Sequence, residues 1–210
     1  MTASMTRARL RAALVLAAVL AWAPSSAAAA APHRHLISVR DSPGYVPLVD
    51  PDSAAERLGR RPGAPLVDRR FTGGSPSLEA LGRAVCGAFH AGSVDSMLAL
   101  CVRPEEFRDI LWPEFPQSRP ATGVRWDDAW VVLHGRLNGG SVSAVRQWSG
   151  HVYTLLRVER SAGVVAYRNF RLHNGITLVA RDDMGNEVRI AGIRSIAERK
   201  GRFKIYSMSD

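Results

Sequence analysis

The spacing of apolar residues changes from a helical period to a strand period near residue 150. Before that point, Ser75 and Pro76 are suited to cap and begin a helix, because serine accepts an exposed amide and proline fits the first turn. The apolar residues that follow share one helix face: Leu78, Leu81, Val85, Ala88 and Phe89. A break at residues 91–93 precedes a second short helix carrying Val94, Met97, Leu98 and Cys101, so the two elements should form a helical hairpin.

Three further helical segments are predicted before the change of period. Pro104 begins one that runs to about Trp112, where several prolines stop it. Tryptophans and leucines then recur at intervals of four, three and four over residues 126–137, which predicts a helix that Asn138-Gly139-Gly140 would end. A shorter helical piece over residues 141–148 follows.

From His151 onward, apolar and polar residues alternate, as in half-buried strands. Five such runs extend over residues 151–159, 164–172, 176–181, 188–197 and 203–205. The turns between them, at residues 161–163, 173–175, 184–186 and 200–201, are short, and short turns join antiparallel neighbours. Helices followed by strands predict an α+β domain, with N-terminal helices packed on a curved antiparallel sheet of four to six strands.

The first thirty residues have the order of a secretory signal peptide. Three arginines precede an apolar run of 12 residues, Ala12–Ala23, and small residues follow. This run is shorter than the roughly 20 residues that cross a bilayer as a helix. We therefore expect a signal peptide over residues 1–30, cut near residues 28–31. The mature protein would have no transmembrane anchor and would be exported to the periplasm or the exterior.

Residues 31–75 carry six prolines and several glycines without a sustained period of two or of 3.6. This composition predicts an extended Pro/Gly/Arg-rich tether, and leaves residues 76–210 as the α+β domain. Two short apolar pieces, residues 45–49 and 66–71, could instead dock on that domain. Tail histidines in the tether are expected to be solvated.

The charge balance is basic, but it does not indicate a nucleic-acid ligand. The chain has 28 lysines and arginines against 19 acids, and only Lys200 and Lys204 are lysines. So uneven a ratio is typical of a genome rich in G and C. Removal of the first 30 residues leaves 25 basic residues against 19 acids, or +6. There is no recognition-helix motif and no run of more than two basic residues, so we expect no binding of nucleic acid.

The helical hairpin, with the run Phe89-His90-Ala91-Gly92-Ser93-Val94-Asp95-Ser96-Met97-Leu98-Ala99-Leu100, precedes a helix and a long curved sheet. This layout resembles the nuclear transport factor 2-like superfamily of cystatin-like α+β cones. The resemblance covers roughly residues 77–210. It implies a cone-shaped, barrel-like domain in which the sheet wraps the helices around a pocket. Members range from isomerases and dehydratases to non-catalytic binding modules, so the resemblance alone does not select a function.

Enzymes of that superfamily place a carboxylate, or a tyrosine and a carboxylate, inside the cone. The sheet positions expected to face the helices contain no acid: Val152, Leu156, Val158, Phe170, Ile176, Leu178, Val188, Ile190, Phe203 and Ile205. The strand-end acids Glu159, Asp182, Asp183 and Glu187 are expected to be solvated. Asp127 and Asp128 remain as weak catalytic candidates, because desolvation at a pocket mouth would raise the pKa of either. Alternatively, both acids lie on the solvent-exposed face of an amphipathic helix.

Aromatic residues concentrate in the helical half of the domain. We predict a ligand-binding set of Trp112, Trp126, Trp130, His134 and Tyr153, which would suit a flat apolar molecule. The alternative is that these side chains are core anchors. His134, His151 and His173 have no metal-ligand spacing, so we expect no metal and no cofactor.

Cys86 and Cys101 are the only cysteines. In an antiparallel hairpin that turns near residues 91–93, Cys86 lies about opposite residues 98–101, and an oxidising compartment favours a disulfide between the two. Two buried free thiols are the alternative.

These patterns favour an exported, non-catalytic domain that binds a small apolar ligand or a protein partner. A small enzyme of isomerase or dehydratase type would instead use Asp127 or Asp128 with Tyr153 or His134. A third hypothesis is an envelope scaffold that forms a homodimer through the outer face of its sheet.

Overall fold

The computed structural model of the chain describes residues 61–209. The predicted signal peptide, and the predicted tether up to residue 60 with its two histidines, lie outside the described residues. Within them, no helix is long and apolar enough to span a membrane. The predicted α+β class is confirmed, since helices come first and antiparallel sheets follow.

Helix α1 spans Leu78–His90, and helix α2 spans Val94–Ala99. The residue that caps α1 is Ser77, whose Oγ accepts a hydrogen bond from the amide of Ala80 at 3.0 Å. The prediction of a cap at Ser75 was wrong, because the amide and carbonyl of that residue pair with Phe203 in an extended bridge. The predicted inner face of α1 is confirmed by the burial of four of its members: Leu81, Val85, Ala88 and Phe89.

The segment after α2 is helical but irregular. Helix α3 spans Pro104–Glu106 and continues into a wider π-helical turn, Phe107–Leu111. Three 3₁₀ turns follow at Trp112–Glu114, Pro116–Ser118 and Pro120–Thr122. The prolines each begin a turn or sit in its first residues, as their fixed backbone angle favours.

Helix α4 spans Trp126–Trp148, 23 residues in one element. The predicted end at Asn138-Gly139-Gly140 was therefore wrong. Gly140 instead permits a close approach to the sheet: a Cβ there would lie 2.5 Å from Met208 Cβ and 2.8 Å from the carbonyl oxygen of Ser209. Gly140 therefore allows α4 to pack closely on the end of β7 and does not end the helix.

The sheet residues form seven strands: β1 Thr154–Arg160, β2 Val164–Ala166, β3 Arg171–Asn174, β4 Ile176–Arg181, β5 Glu187–Ile190, β6 Ile193–Arg199 and β7 Arg202–Met208. All pairings are antiparallel, in two sheets with strand orders β1-β4-β5 and β2-β3-β6-β7. The two sheets are not closed into a barrel, so the predicted single sheet of four to six strands and its barrel-like shape were wrong.

Two predicted turns are bends inside longer strands. Residues 154–166 run antiparallel to residues 171–181 throughout, as β1 against β4 and β2 against β3. At the bend, the amide of Ser161 donates to the carbonyl of Gly175 at 2.9 Å. Gly175 has φ 65°, and a Cβ there would lie 2.9 Å from the amide nitrogen of Ala162. The bend thus requires glycine at this position.

A register shift in β1 changes which residues face the helices. The shift lies between Leu155 and Arg157, so Leu155 and Val158 pack on Gly82 of α1. Val152 and Leu156, predicted to face inward, are 50% and 40% exposed. A bulge of this kind places one extra residue in a strand and reverses the alternation beyond it.

The face of β7 towards the helices was also predicted wrongly. Lys204 reaches Glu106 of α3, and Met208 reaches Ser141 of α4, so the even-numbered residues of β7 face the helices. Phe203 and Ile205 lie on the other face, where Phe203 packs on His173. Ile205 is nevertheless fully buried.

Residues 61–75, which the composition assigns to a tether, pack on the domain. The amide of Val67 donates to Asn169 Oδ1 at 2.9 Å, and the guanidinium of Arg199 donates to the carbonyls of Val67 and Arg69. Phe71 is buried in the core. The docking alternative for residues 66–71 therefore describes this part of the chain.

Candidate functional site

Three members of the predicted aromatic set lie together at the N-terminal half of α4. The ring of Phe107 is 5.8 Å from Trp112 and 5.6 Å from Trp130, and Trp130 is 5.6 Å from His134. Trp112 and Phe107 are buried in the core, whereas His134 is exposed. This group is closely packed, as expected for core anchors with one exposed edge.

Trp126 lies beside that group and carries a cation on its face. The guanidinium carbon of Arg108 is 5.5 Å from the Trp126 ring centroid. Arg108 also donates to Asp109 at 2.6 Å, which lowers the pKa of the Asp109 carboxyl. The half-buried indole is therefore covered by an arginine rather than open to a ligand.

Tyr153 lies at the opposite end of α4. Its ring packs against Trp148 at 6.1 Å, Phe89 at 6.4 Å and His151 at 6.1 Å. Trp130 and Trp148 are 18 residues apart on one helix, a separation of about 27 Å. The five predicted aromatic residues thus form two separate clusters and do not line one cavity.

The two catalytic candidates begin α4 and face water. The guanidinium of Arg125 donates to Asp127 at 2.9 Å, and this hydrogen bond holds the pKa of the Asp127 carboxyl below its usual range. Asp128 is exposed. Neither carboxyl forms a hydrogen bond to His134 or Tyr153 within residues 61–209, and Tyr153 lies beyond the far end of the helix.

The acids nearest to Tyr153 are in the β4–β5 turn. Burial, followed by the charges of Asp182 and Asp183, raises the pKa of the Tyr153 hydroxyl. His151 Nδ1 is 3.3 Å from Asp183 Oδ1, with both side chains about half exposed. This cluster is exposed to solvent, unlike the tyrosine and carboxylate pair inside the cone that the family resemblance implies.

A groove of about 370 Å³ lies between the C-terminal half of α4 and the junction of β5 and β6. Its walls are Ser143, Gln147 and Trp148 on the helix, Arg189 and Gly192 on the strands, and Ser209 at the end of β7. Sequence reasoning missed it, because it depends on the unbroken helix and on the split between β5 and β6. The nearest signal was the pair of glycines at residues 139–140.

Close packing of backbone shapes the floor of the groove. Gly140 brings α4 against Met208 and Ser209, and the amide of Ser209 donates to the carbonyl of Gly192 at 2.8 Å. Gly192 has φ 116°, a conformation that favours glycine. These contacts hold α4, the β5–β6 junction and the C-terminal end of β7 together at the base of the groove.

The groove combines an aromatic ring with hydrogen-bond donors. The groove is lined by Trp148, whose indole Nε1 is itself buried and not accessible to a ligand. Arg189 donates to Glu159 and lowers the pKa of that carboxyl, but its side chain is more than half exposed. A flat ring with an acidic or carbonyl oxygen matches these groups better than a purely aliphatic molecule does.

A buried ion pair, which sequence reasoning also missed, joins β7 to α3. Lys204 Nζ is 2.9 Å from both carboxylate oxygens of Glu106, and both side chains are 1% exposed. Glu106 also accepts the amides of Thr72 at 2.6 Å and Arg103 at 2.8 Å. All its acceptor directions are used by the protein, so the pair is a structural feature rather than a ligand site.

The histidines and acids of the described part of the chain are paired locally rather than gathered around a common centre. His173 is buried, and its Nε2 is 2.8 Å from Glu198, while Arg160 is 3.4 Å from Nδ1. No group of three or more histidine, cysteine or acidic side chains in residues 61–209 is arranged to hold a metal ion.

Cys86 and Cys101 are buried free thiols in the structure, so the predicted disulfide is not formed. The two thiols have different surroundings. Cys86 lies near Tyr153, whereas Cys101 lies near Ser141 and Lys204 and donates to the carbonyl of Met97 at 3.5 Å. Burial raises the pKa of the Cys86 thiol, and that of Cys101 to about 12.

Comparison of the chain with protein-family models, with curated proteins and with solved structures gives no match.

Proposed function

We propose that this protein is an exported, non-catalytic binding domain of the nuclear transport factor 2-like type. Its ligand is a small, flat, mainly apolar molecule with one acidic or carbonyl oxygen, held in the groove between α4 and the β5–β6 junction. Export is supported by the signal-like order of residues 1–30, and the family by the helical hairpin followed by antiparallel sheets. The groove is the observation that carries the ligand proposal.

The size and lining of the groove support a small molecule. A volume of about 370 Å³ is within the range of small-molecule sites, roughly 300–1,000 Å³. Trp148 supplies an aromatic surface, and Arg189 supplies a guanidinium that binds acidic oxygens at the rim. Gln147 and Ser143 add polar groups that would orient the ligand.

The positions of the acids support binding without catalysis. Asp127 forms an ion pair with Arg125 at the other end of α4, and the buried carboxylates Glu106 and Glu114 are hydrogen-bonded to backbone amides. A general base needs a carboxylate or imidazole within reach of a bound ligand. None of the described residues that line the groove has such a group.

Anilinonaphthalene sulfonate is a suitable probe, because it joins a flat apolar ring system to an acidic group. We expect Arg189→Gln to weaken dye binding about tenfold, since it removes the guanidinium. Arg157→Gln is the matched control: Arg157 also pairs with Glu159 but does not line the groove. Far-ultraviolet circular dichroism would verify that both variants are folded. Equal dye affinity in the two variants, or no saturable binding by the wild type, would refute the proposal.

A further inference from the structure

The outer face of α4 carries an ordered series of residues along the whole helix. At 100° per residue, these positions lie within about 60° of one line: Asp128, Val131, Val132, Gly135, Gly139, Val142 and Arg146. All are exposed, and the three valines are 70%, 47% and 47% exposed. An acid begins the series, a base ends it, and apolar residues and glycines occupy the middle.

The two glycines on this face are not needed by the domain itself. A Cβ at Gly135 or Gly139 would meet nothing within 4 Å, in contrast to Gly82 and Gly140, which pack closely on other elements. A glycine inside a helix is about 1 kcal/mol less favourable than alanine. Glycines four residues apart on an exposed face allow the backbone of another helix to come close.

The series is self-complementary when the helix is read in the opposite direction. If two copies of α4 cross antiparallel at the level of residue 137, Gly135 faces Gly139 and Val132 faces Val142 of the second copy. The same register places Asp128 opposite Arg146. Neither charged side chain forms an ion pair within residues 61–209, so each is available to the second copy. A two-fold interface requires this kind of self-complementary surface.

We propose that α4 pairs with α4 of a second copy of this chain, antiparallel about a two-fold axis level with residue 137. The valines form the apolar centre, Gly135 and Gly139 permit close contact, and two symmetric Asp128–Arg146 pairs set the register. A single helix about 33 Å long offers a small interface, so the dimer is weak and depends on concentration.

The face of β1, β4 and β5 that points away from α1 is less suited to the same role. Ion pairs connect the side chains of β1 and β5 across this face, around Val179 of β4. Arg157 contacts Glu159 and Glu187, and Arg189 also contacts Glu159. These charges are already paired within one chain. A second sheet would have to desolvate them without a new partner.

Sedimentation velocity of the full chain between about 1 µM and 0.2 mM tests the proposal. We expect a concentration-dependent dimer in the wild type, and a dimer dissociation constant at least tenfold higher for Gly139→Leu, because leucine holds the helices apart. Gly87→Leu is the matched control, since Gly87 is an exposed glycine of α1 with nothing within 4 Å of a Cβ. It should leave the dimer unchanged.

Charge reversal tests the register. Asp128→Lys and Arg146→Glu should each abolish the dimer, and the double variant should restore it, since every contact is then reversed with its partner. Restoration is specific to the antiparallel arrangement. A monomer at all concentrations, an unaffected Gly139→Leu dimer, or failure of the double variant to restore association would overturn the proposal.

Discussion

Replacement of Lys204 by methionine removes the ammonium from a buried ion pair and leaves its partner in place. Methionine is similar to lysine in length and apolar, so it fills the space of the lysine stem without a new polar group. Glu106 would retain only the amides of Thr72 and Arg103 as donors. The result is a carboxylate with little exposure and no counter-charge.

The expected loss of stability is large. Removal of one member of a buried pair costs about 3–5 kcal/mol, because the remaining charge is not compensated. For a domain of this size, each kcal/mol lowers the melting temperature by about 2–4 °C, so Lys204→Met should melt about 6–20 °C below the wild type. Glu106→Gln/Lys204→Met should recover part of the loss, since the amide is neutral and still accepts a backbone hydrogen bond.

Urea unfolding followed by far-ultraviolet circular dichroism measures these differences. Lys200→Met is the matched control, because Lys200 is the other lysine and pairs with the fully exposed Asp68. We expect it to unfold like the wild type. Lys204→Arg should also be destabilised, by about 1–3 kcal/mol, since a planar guanidinium overfills a site in which Gly74 packs closely on the lysine stem.

The reasoning would be refuted if Lys204→Met unfolded within about 1 kcal/mol of the wild type. It would equally be refuted if Lys200→Met were destabilised as much as Lys204→Met. In either case, burial of the charge at residue 106 would not be the source of the cost.

Three further predictions concern the bend, the thiols and the first turn of α4. Gly175→Ala should cost about 1–3 kcal/mol more than Gly163→Ala in thermal unfolding, because both glycines have positive φ but only Gly175 is closely packed. Thiol titration without reductant should find two free thiols per chain in denaturant. In the native state the thiols should react slowly, since burial raises the pKa of Cys101 to about 12. Absence of thiols in denaturant would contradict the free state of Cys86 and Cys101. Asp127→Asn should leave dye affinity unchanged between about pH 5 and 8, because a lowered pKa keeps the Asp127 carboxyl ionised throughout that range. A pH-dependent difference in dye affinity between the variant and the wild type would support a proton-transfer role.

The first helix could be predicted from the sequence, because the period of apolar residues is a local property, although its capping residue was not. The inner face of α1, from Leu81 to Phe89, follows from the spacing of its apolar residues. The unbroken α4 could not be predicted in the same way. Glycine at residue 140 signals a helix end locally, and only the approach of Met208 shows that it serves packing.

The faces of the sheet were less predictable, because alternation holds only while the register is regular. One shift near Leu156 exposed that residue, and the orientation of β7 placed Lys204 towards the helices. No local signal marked the buried pair, because of the two lysines only Lys204 is buried, whereas Lys200 is exposed.

The predicted aromatic site was wrong for a different reason. Trp130 and Tyr153 are close in sequence, but α4 separates their surroundings by the length of the helix. Residues near the two ends of a long helix cannot line one small cavity. The groove at Trp148 depends instead on contacts between α4 and residues 189–209, which no local pattern encodes.

The pairing of β7 with the earliest described elements has a consequence for the time course of folding. Ser75 bonds to Phe203, residues 100 and 102 bond to Ile205, and Lys204 neutralises a carboxylate 98 positions earlier. These contacts cannot form until β7 has been synthesised. Before then, the strand edge that receives β7 and the Glu106 carboxylate lack their partners, and we expect slow folding that is completed only when β7 is added.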